Sequence, residues 1–101
     1  MPTYEVLPRF TTDLNRLTPE QRRKFRQTVA AFIKDLHAGG RFRVGLHIKH
    51  VQRATGIYEL TWSMATGPAG HATWQHGPAR RPGTPHIIWR RIGTHAILTG
   101  P

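Results

Sequence analysis

At Gly39-Gly40 the apolar spacing of this chain switches from a helical period to a period of two, and that switch sets the order of its parts. Before the switch, Phe25, Val29, Phe32, Ile33 and Leu36 recur at the spacing of one helix face. Thr18, Pro19 and Gln21 fit the N-cap, N1 and N3 positions of a capping box, and Gly39-Gly40 supplies the stop. A shorter stripe, Phe10, Leu14 and Leu17, predicts a preceding helix capped by Thr11 or Thr12, with Asp13 in its first turn. Pro19 divides the two helices, so they form a hairpin. Thr3–Leu7, ahead of them, has strand propensity.

After Gly40, the segment Arg41–Gln52 alternates loosely around Phe42, Val44, Leu46 and Ile48 and is expected as a strand. Gly56–Met64 places Tyr58, Leu60, Trp62 and Met64 on one face and Ile57, Glu59, Thr61 and Ser63 on the other. Ala65–Gly70 reads as a turn, His71–His76 as a strand, Gly77–Pro85 as a mobile basic loop, and His86–Ile92 as the closing strand. A short strand, a helical hairpin and an antiparallel β-meander predict an α+β fold in one domain spanning residues 1–101. Its helices cover one sheet face and leave the other available.

Charge narrows the function. Fifteen Lys and Arg face five Asp and Glu, a formal +10 on 101 residues. Such an excess calls for a polyanionic partner, either nucleic acid or an acidic protein. Cysteine is absent, which excludes thiolate chemistry and cysteine-based zinc sites. No apolar run approaches a membrane span, and the first residues lack a signal-peptide core, so a cytoplasmic location without membrane contact is expected.

Seven histidines invite a metal reading, but no HExxH or comparable spacing occurs, so neither metal nor cofactor is expected. Histidine as a proton-transfer group fits better, because imidazole as a class titrates near neutral pH. His95 follows Gly93-Thr94 at the end of the last strand and belongs at the sheet's rim, and His71 opens the neighbouring strand. Glu59 sits on the strand face opposite Leu60 and Trp62. Arg90 and Arg91 are adjacent within an apolar strand and therefore point to opposite faces, so at least one must meet charge. Lys49, Arg53, Arg80, Arg81, Arg90 and Arg91 suit phosphate contacts. Most of the three tryptophans belong in the core, with Trp74 the one best placed to stack on a base.

Two segments, Gly56–Ser63 (GIYELTWS) and Arg91–Leu98 (RIGTHAIL), together with this element order, resemble the RelE/ParE superfamily of bacterial toxins. The second is similar to the Arg-x-Gly-Thr/Ser-His ending of its YafQ-type members. The resemblance implies a metal-independent mRNA endonuclease acting in the ribosome, an acidic antitoxin that neutralises it, and operator DNA bound through that antitoxin. It implies His95 as a catalytic histidine, Arg91 as the cation on the scissile phosphate, and His50 as the histidine of the loop before the GIYEL strand. His71 falls near residues that act at the start of the next strand, although Gly70-His71 stands where YafQ-type chains carry Asp-Trp. Glu59 resembles the general base of a sister branch. A ParE-like gyrase-binding toxin and a non-enzymatic RNA-binding module are the other functions compatible with these residues.

Overall fold

A computed structural model describes residues 2–65 and 67–101. Met1 and Thr66, the latter within the expected Ala65–Gly70 turn, lie outside the described residues. The elements are β1 (Thr3–Val6), α1 (Pro8–Asn15), α2 (Pro19–His37), β2 (Lys49–His50), β3 (Tyr58–Trp62), β4 (Gly70–Arg81) and β5 (Thr84–Gly93). Single 3-10 turns occupy Val44–Leu46 and His95–Thr99. The sheet order is β1-β5-β4-β3-β2. Strands β2 to β5 form an antiparallel meander, and β1 lies parallel to β5 at one edge. This is the α+β architecture expected from the period switch.

The capping box at α2 is present in both directions. Thr18 Oγ1 accepts from the Gln21 N–H at 3.1 Å, and Gln21 Oε1 accepts from the Thr18 N–H at 2.9 Å. Phe25, Phe32 and Leu36 of α2, with Phe10 of α1, pack on Leu60, Trp62, Trp74, Ile87 and Trp89 of the sheet. Phe25 meets Trp62 and Trp89 edge-on, and Phe32 meets Trp74 the same way. Gly70 makes room for this packing, since a Cβ there would lie 2.5 Å from Trp62 Cε2.

Three expectations change. Helix α1 begins at Pro8 rather than after a threonine cap: Leu7 is its N-cap without a side-chain bond, and proline pre-sets the first turn. Asp13 therefore lies late in α1 and is buried, not free in a first turn. Arg41–Gln52 is not a strand until its last residues. Phe42, Leu46 and Ile48 point inward, but His47 adopts φ 49° and Val44 is 88% exposed, so the chain coils instead of alternating. Gly77–Pro85 is not a loop: β4 and β5 continue as a hairpin that turns at Pro82-Gly83, where Gly83 has φ 75°. Among the described residues no other strand flanks this distal part, so the missing N–H groups of Pro78 and Pro85 break no ladder with a neighbour.

Candidate active site

Lys49, Glu59, Thr73 and Arg91 are cross-strand partners, one from each of β2 to β5. Directly opposed residues share a face. Because Leu60, Trp62 and Trp74 face the helices, this row starts on the other face. Thr61, His71 and Gly93 form the adjacent row.

The rows converge on Glu59. Its side chain is only 4% exposed, with Oε1 3.4 Å from His71 Nδ1 and 3.7 Å from Lys49 Nζ. Neither contact has hydrogen-bond geometry, so Glu59 Oε1 and His71 Nδ1 are both buried without a hydrogen-bond partner. Thr73 Oγ1, across the strand from Glu59, is unpartnered too. A buried carboxylate in that state is costly unless charge compensates it, and the Lys49 ammonium, 3.7 Å away, is placed to do so. Trp74 Nε1 and His86 Nε2 are unpartnered elsewhere, but three such atoms together on one sheet face single this patch out as the candidate site.

His95 completes the group. Its ring stands edge-on to that of His71, with centroids 5.3 Å apart, and the residue is exposed. The turn carrying it is fixed locally: Thr94 Oγ1 accepts from the Ala96 N–H, and Ile97 is buried beside Gly93. The arrangement therefore offers an ammonium, a carboxylate and two imidazoles within one patch of the sheet.

The other candidates fall elsewhere. His50 pairs with Tyr58 on the helix face, ring centroids 4.3 Å apart, so it does not join Glu59 and His71. Trp74 is 1% exposed and packed between Tyr58 and Phe32, which closes it to a base. Arg53 is exposed in the loop after β2. Arg80 and Arg81 are exposed on the β4–β5 hairpin, with Arg80 paired to Glu5 at 3.0 Å. Arg90 and Arg91 do not divide between two faces. Arg90 is the extra residue of a β-bulge opposite Thr73 and Trp74, and both guanidiniums turn to the C-terminal segment. Arg90 donates to Gln75 Oε1 and the Pro101 carbonyl. Arg91 donates to both carboxylate oxygens of Asp13, at 2.6 and 3.2 Å, and to the Gly100 carbonyl.

Sequence reasoning missed Asp13 and Thr73. Thr73 was within reach, because it shares strand parity with His71. Asp13 lies 78 positions from Arg91, and nothing local signals the pair.

No family model matches the chain, and no curated protein matches it. Solved structures do. YafQ from E. coli strain BL21(DE3) superposes with a TM-score of 0.60 at 15% identity, covering 99% of this chain and 100% of that one. The E. coli DinJ–YafQ toxin–antitoxin complex gives a TM-score of 0.61 at 15% identity, with 98% of each chain covered. A likeness at this identity is one of architecture: along nearly its whole length the chain has the fold of YafQ.

Proposed function

We propose that this protein is the toxin of a type II toxin–antitoxin pair and cleaves mRNA on the ribosome, in the cytoplasm, as a metal-independent endonuclease. The observation that carries this reading is the convergence of Lys49, Glu59, His71 and His95 on one sheet face of a YafQ-like fold. RNA cleavage by side chains needs a base for the 2′-hydroxyl, an acid for the leaving 5′-oxygen, and a cation for the charge between them. Glu59 is too buried to touch a ribose. It acts through His71: its carboxylate lies 3.4 Å from Nδ1 and favours the imidazolium that forms when Nε2 takes the 2′-proton. The 2′-oxygen attacks phosphorus, the P–O5′ bond breaks, and His95 protonates the departing oxygen. The products are a 2′,3′-cyclic phosphate and a 5′-hydroxyl. Lys49, 67% exposed, steadies the phosphorane.

The partner of the resting form is an acidic antitoxin. A groove of about 610 Å³ runs between β1 and the helical hairpin, lined by Tyr4, Val6, Phe10, Leu14, Val29 and Ile33. Tyr4 and Val6 are 66% and 41% exposed, among the largest apolar exposures on the molecule. Arg22 and Arg26 also line this groove, which suits an amphipathic segment carrying acidic flanks. Operator DNA is reached through that partner.

Primer extension on translated mRNA tests the reading. Cuts made by the parent chain and abolished by His95→Ala support it. An uncut message overturns it, and inhibition of gyrase or RNA binding without cleavage would then identify the activity.

A further inference from the structure

The C-terminal turn that carries His95 is anchored by residues far from it in sequence. Asp13 Oδ2 accepts from Arg91 Nε at 2.6 Å and from the Ile92 N–H at 3.2 Å, and Oδ1 accepts from Arg91 Nη2 at 3.2 Å. Beyond Trp89, β5 has lost β1 as a neighbour, since the pairing ends at Val6 and Trp89. Asp13 therefore satisfies a strand N–H that no strand reaches. Arg91 uses its remaining nitrogen on the Gly100 carbonyl at 3.1 Å, and Arg90 holds the next carbonyl, Pro101, at 3.1 Å. The 3-10 turn His95–Thr99 is thus pinned at its start by Thr94 and Ile97 and at its end by two guanidiniums.

We propose that Asp13 and Arg91 are positioning residues that lock this turn, and with it the imidazole of His95, against the rim of the sheet beside His71. The proposal rests on the reading of His95 as the acid in cleavage. It assigns Arg91 a task other than gripping the phosphate. Arg91 is 17% exposed in its side chain and all three of its nitrogens donate to protein oxygens, so a phosphate would have to break the Asp13 pair to reach it. A bidentate, mostly buried pair of this geometry fixes orientation as well as charge. Placement errors near one ångström at a reacting group cost on the order of 100-fold in rate.

The two tasks separate experimentally. Asp13→Asn and Arg91→Lys are compared with the parent by amide hydrogen exchange, single-turnover cleavage and salt dependence of RNA affinity. Arg91→Lys preserves the charge should Asp13→Asn fold poorly. The lock predicts faster exchange at the Ile97 and Gly100 amides, which bond to the Thr94 and Ile97 carbonyls. It also predicts a fall of about 10- to 100-fold in the cleavage step with RNA affinity and salt slope unchanged. Unaltered exchange at those amides overturns the lock. A salt slope lowered by about 0.7 in Arg91→Gln, which removes the charge, overturns it in favour of a phosphate contact. If His95→Ala cleaves like the parent, the catalytic reading of His95 fails while the exchange result still decides the lock. On a His95→Ala background, Arg91→Lys should cost no further cleavage, and an added loss would overturn the positioning role.

Discussion

The face of the sheet turned from the helices holds two glutamate–histidine pairs, and they are built in opposite ways. Glu59 and His71 lie 3.4 Å apart with the carboxylate side chain 4% exposed and the imidazole 15% exposed. Glu5 and His86 lie 3.6 Å apart with the imidazole 3% exposed and the carboxylate 43% exposed. In the first pair the histidine's Nδ1 has no hydrogen-bond partner, and a second histidine stands beside the ring. In the second, His86 Nδ1 is tied to Thr3 Oγ1 at 2.7 Å, across the junction of β1 and β5. The first pair leaves its ring next to the exposed His95 at the rim of the sheet, and the second buries its ring to fasten an edge strand. Each pair leaves one buried ring nitrogen unpartnered, Nδ1 of His71 and Nε2 of His86, so neither residue type nor unused bonding capacity separates them, whereas the accessibility of the ring does.

The largest expected effect breaks the comparison at its functional end. His71→Ala and His95→Ala should each lower mRNA cleavage by about 10² to 10⁴ at matched expression. Glu59→Gln should follow His71→Ala, because Glu59 acts through that ring. Glu5→Gln and His37→Ala should cleave like the parent. Equal losses from Glu5→Gln and Glu59→Gln, read by primer extension, would show that the two pairs do not differ in role.

The structural end gives the next effect. His86→Ala removes a buried ring and the Thr3 bond, and should cost about 2 kcal/mol. For a chain of this size that lowers the thermal midpoint by roughly 10 °C. Gly77→Ala should act the same way, since its Cβ would lie 2.8 Å from His86 Cδ2. Cleavage well below the midpoint should persist in both. His71→Ala, by contrast, should leave the midpoint near that of the parent.

Local chemistry in the sequence reported local structure well. The Thr18–Gln21 box, the stripe of α2 and the alternation of β3 are each decided within a few residues, and all are present. The opposite placement of Glu59 and Leu60 followed from parity alone. Failures came where distant segments decide. Prolines at 78, 82 and 85 read as loop, yet this hairpin needs no ladder beyond its own two strands there. The Arg90–Arg91 parity argument failed because a bulge inserts one residue into β5. Of the site, Glu59, His71 and His95 were legible as candidates. Their convergence was not, because cross-strand register does not appear in a single chain segment. Nor was the removal of His50 to the helix face, which rests on a two-residue strand pairing with Tyr58.

A smaller effect concerns acid. Burial alone would raise the Asp13 carboxyl, but the Arg91 hydrogen bonds, the Ile92 N–H and nearby guanidinium charge hold it below 3.8. The Arg43 guanidinium and N–H hold Asp35 down at about 2. A depressed carboxyl contributes stability above its unfolded pKa and loses it as pH falls through the folded value. Stability should therefore decline from about pH 4 toward pH 2, as measured by urea midpoint. Asp13→Asn and Asp35→Asn should each flatten part of that decline. A decline unchanged in both variants would show that these two carboxyls do not set the acid sensitivity.

The smallest effect asks whether the exposed cations serve the same face as the first pair. Lys49 lies in the cross-strand row with Glu59, Arg53 follows β2, and Arg80 and Arg81 project on the hairpin beside Glu5 and His86. If RNA crosses the whole face, each neutralised cation should lower the log–log salt slope of binding by about 0.7. Arg80 is partly spent on Glu5, but an exposed pair of this kind is worth little and yields readily to a phosphate. Arg53→Gln, Arg80→Gln and Arg81→Gln should therefore each weaken RNA binding modestly and leave the rate of the cleavage step intact. Lys49→Gln should lower both. A slope that responds only to Lys49 and Arg53 would confine RNA to the β2 side, leaving the hairpin for the acidic partner. Slopes that fall equally for all four would extend the RNA path from the reactive glutamate–histidine pair to the structural one.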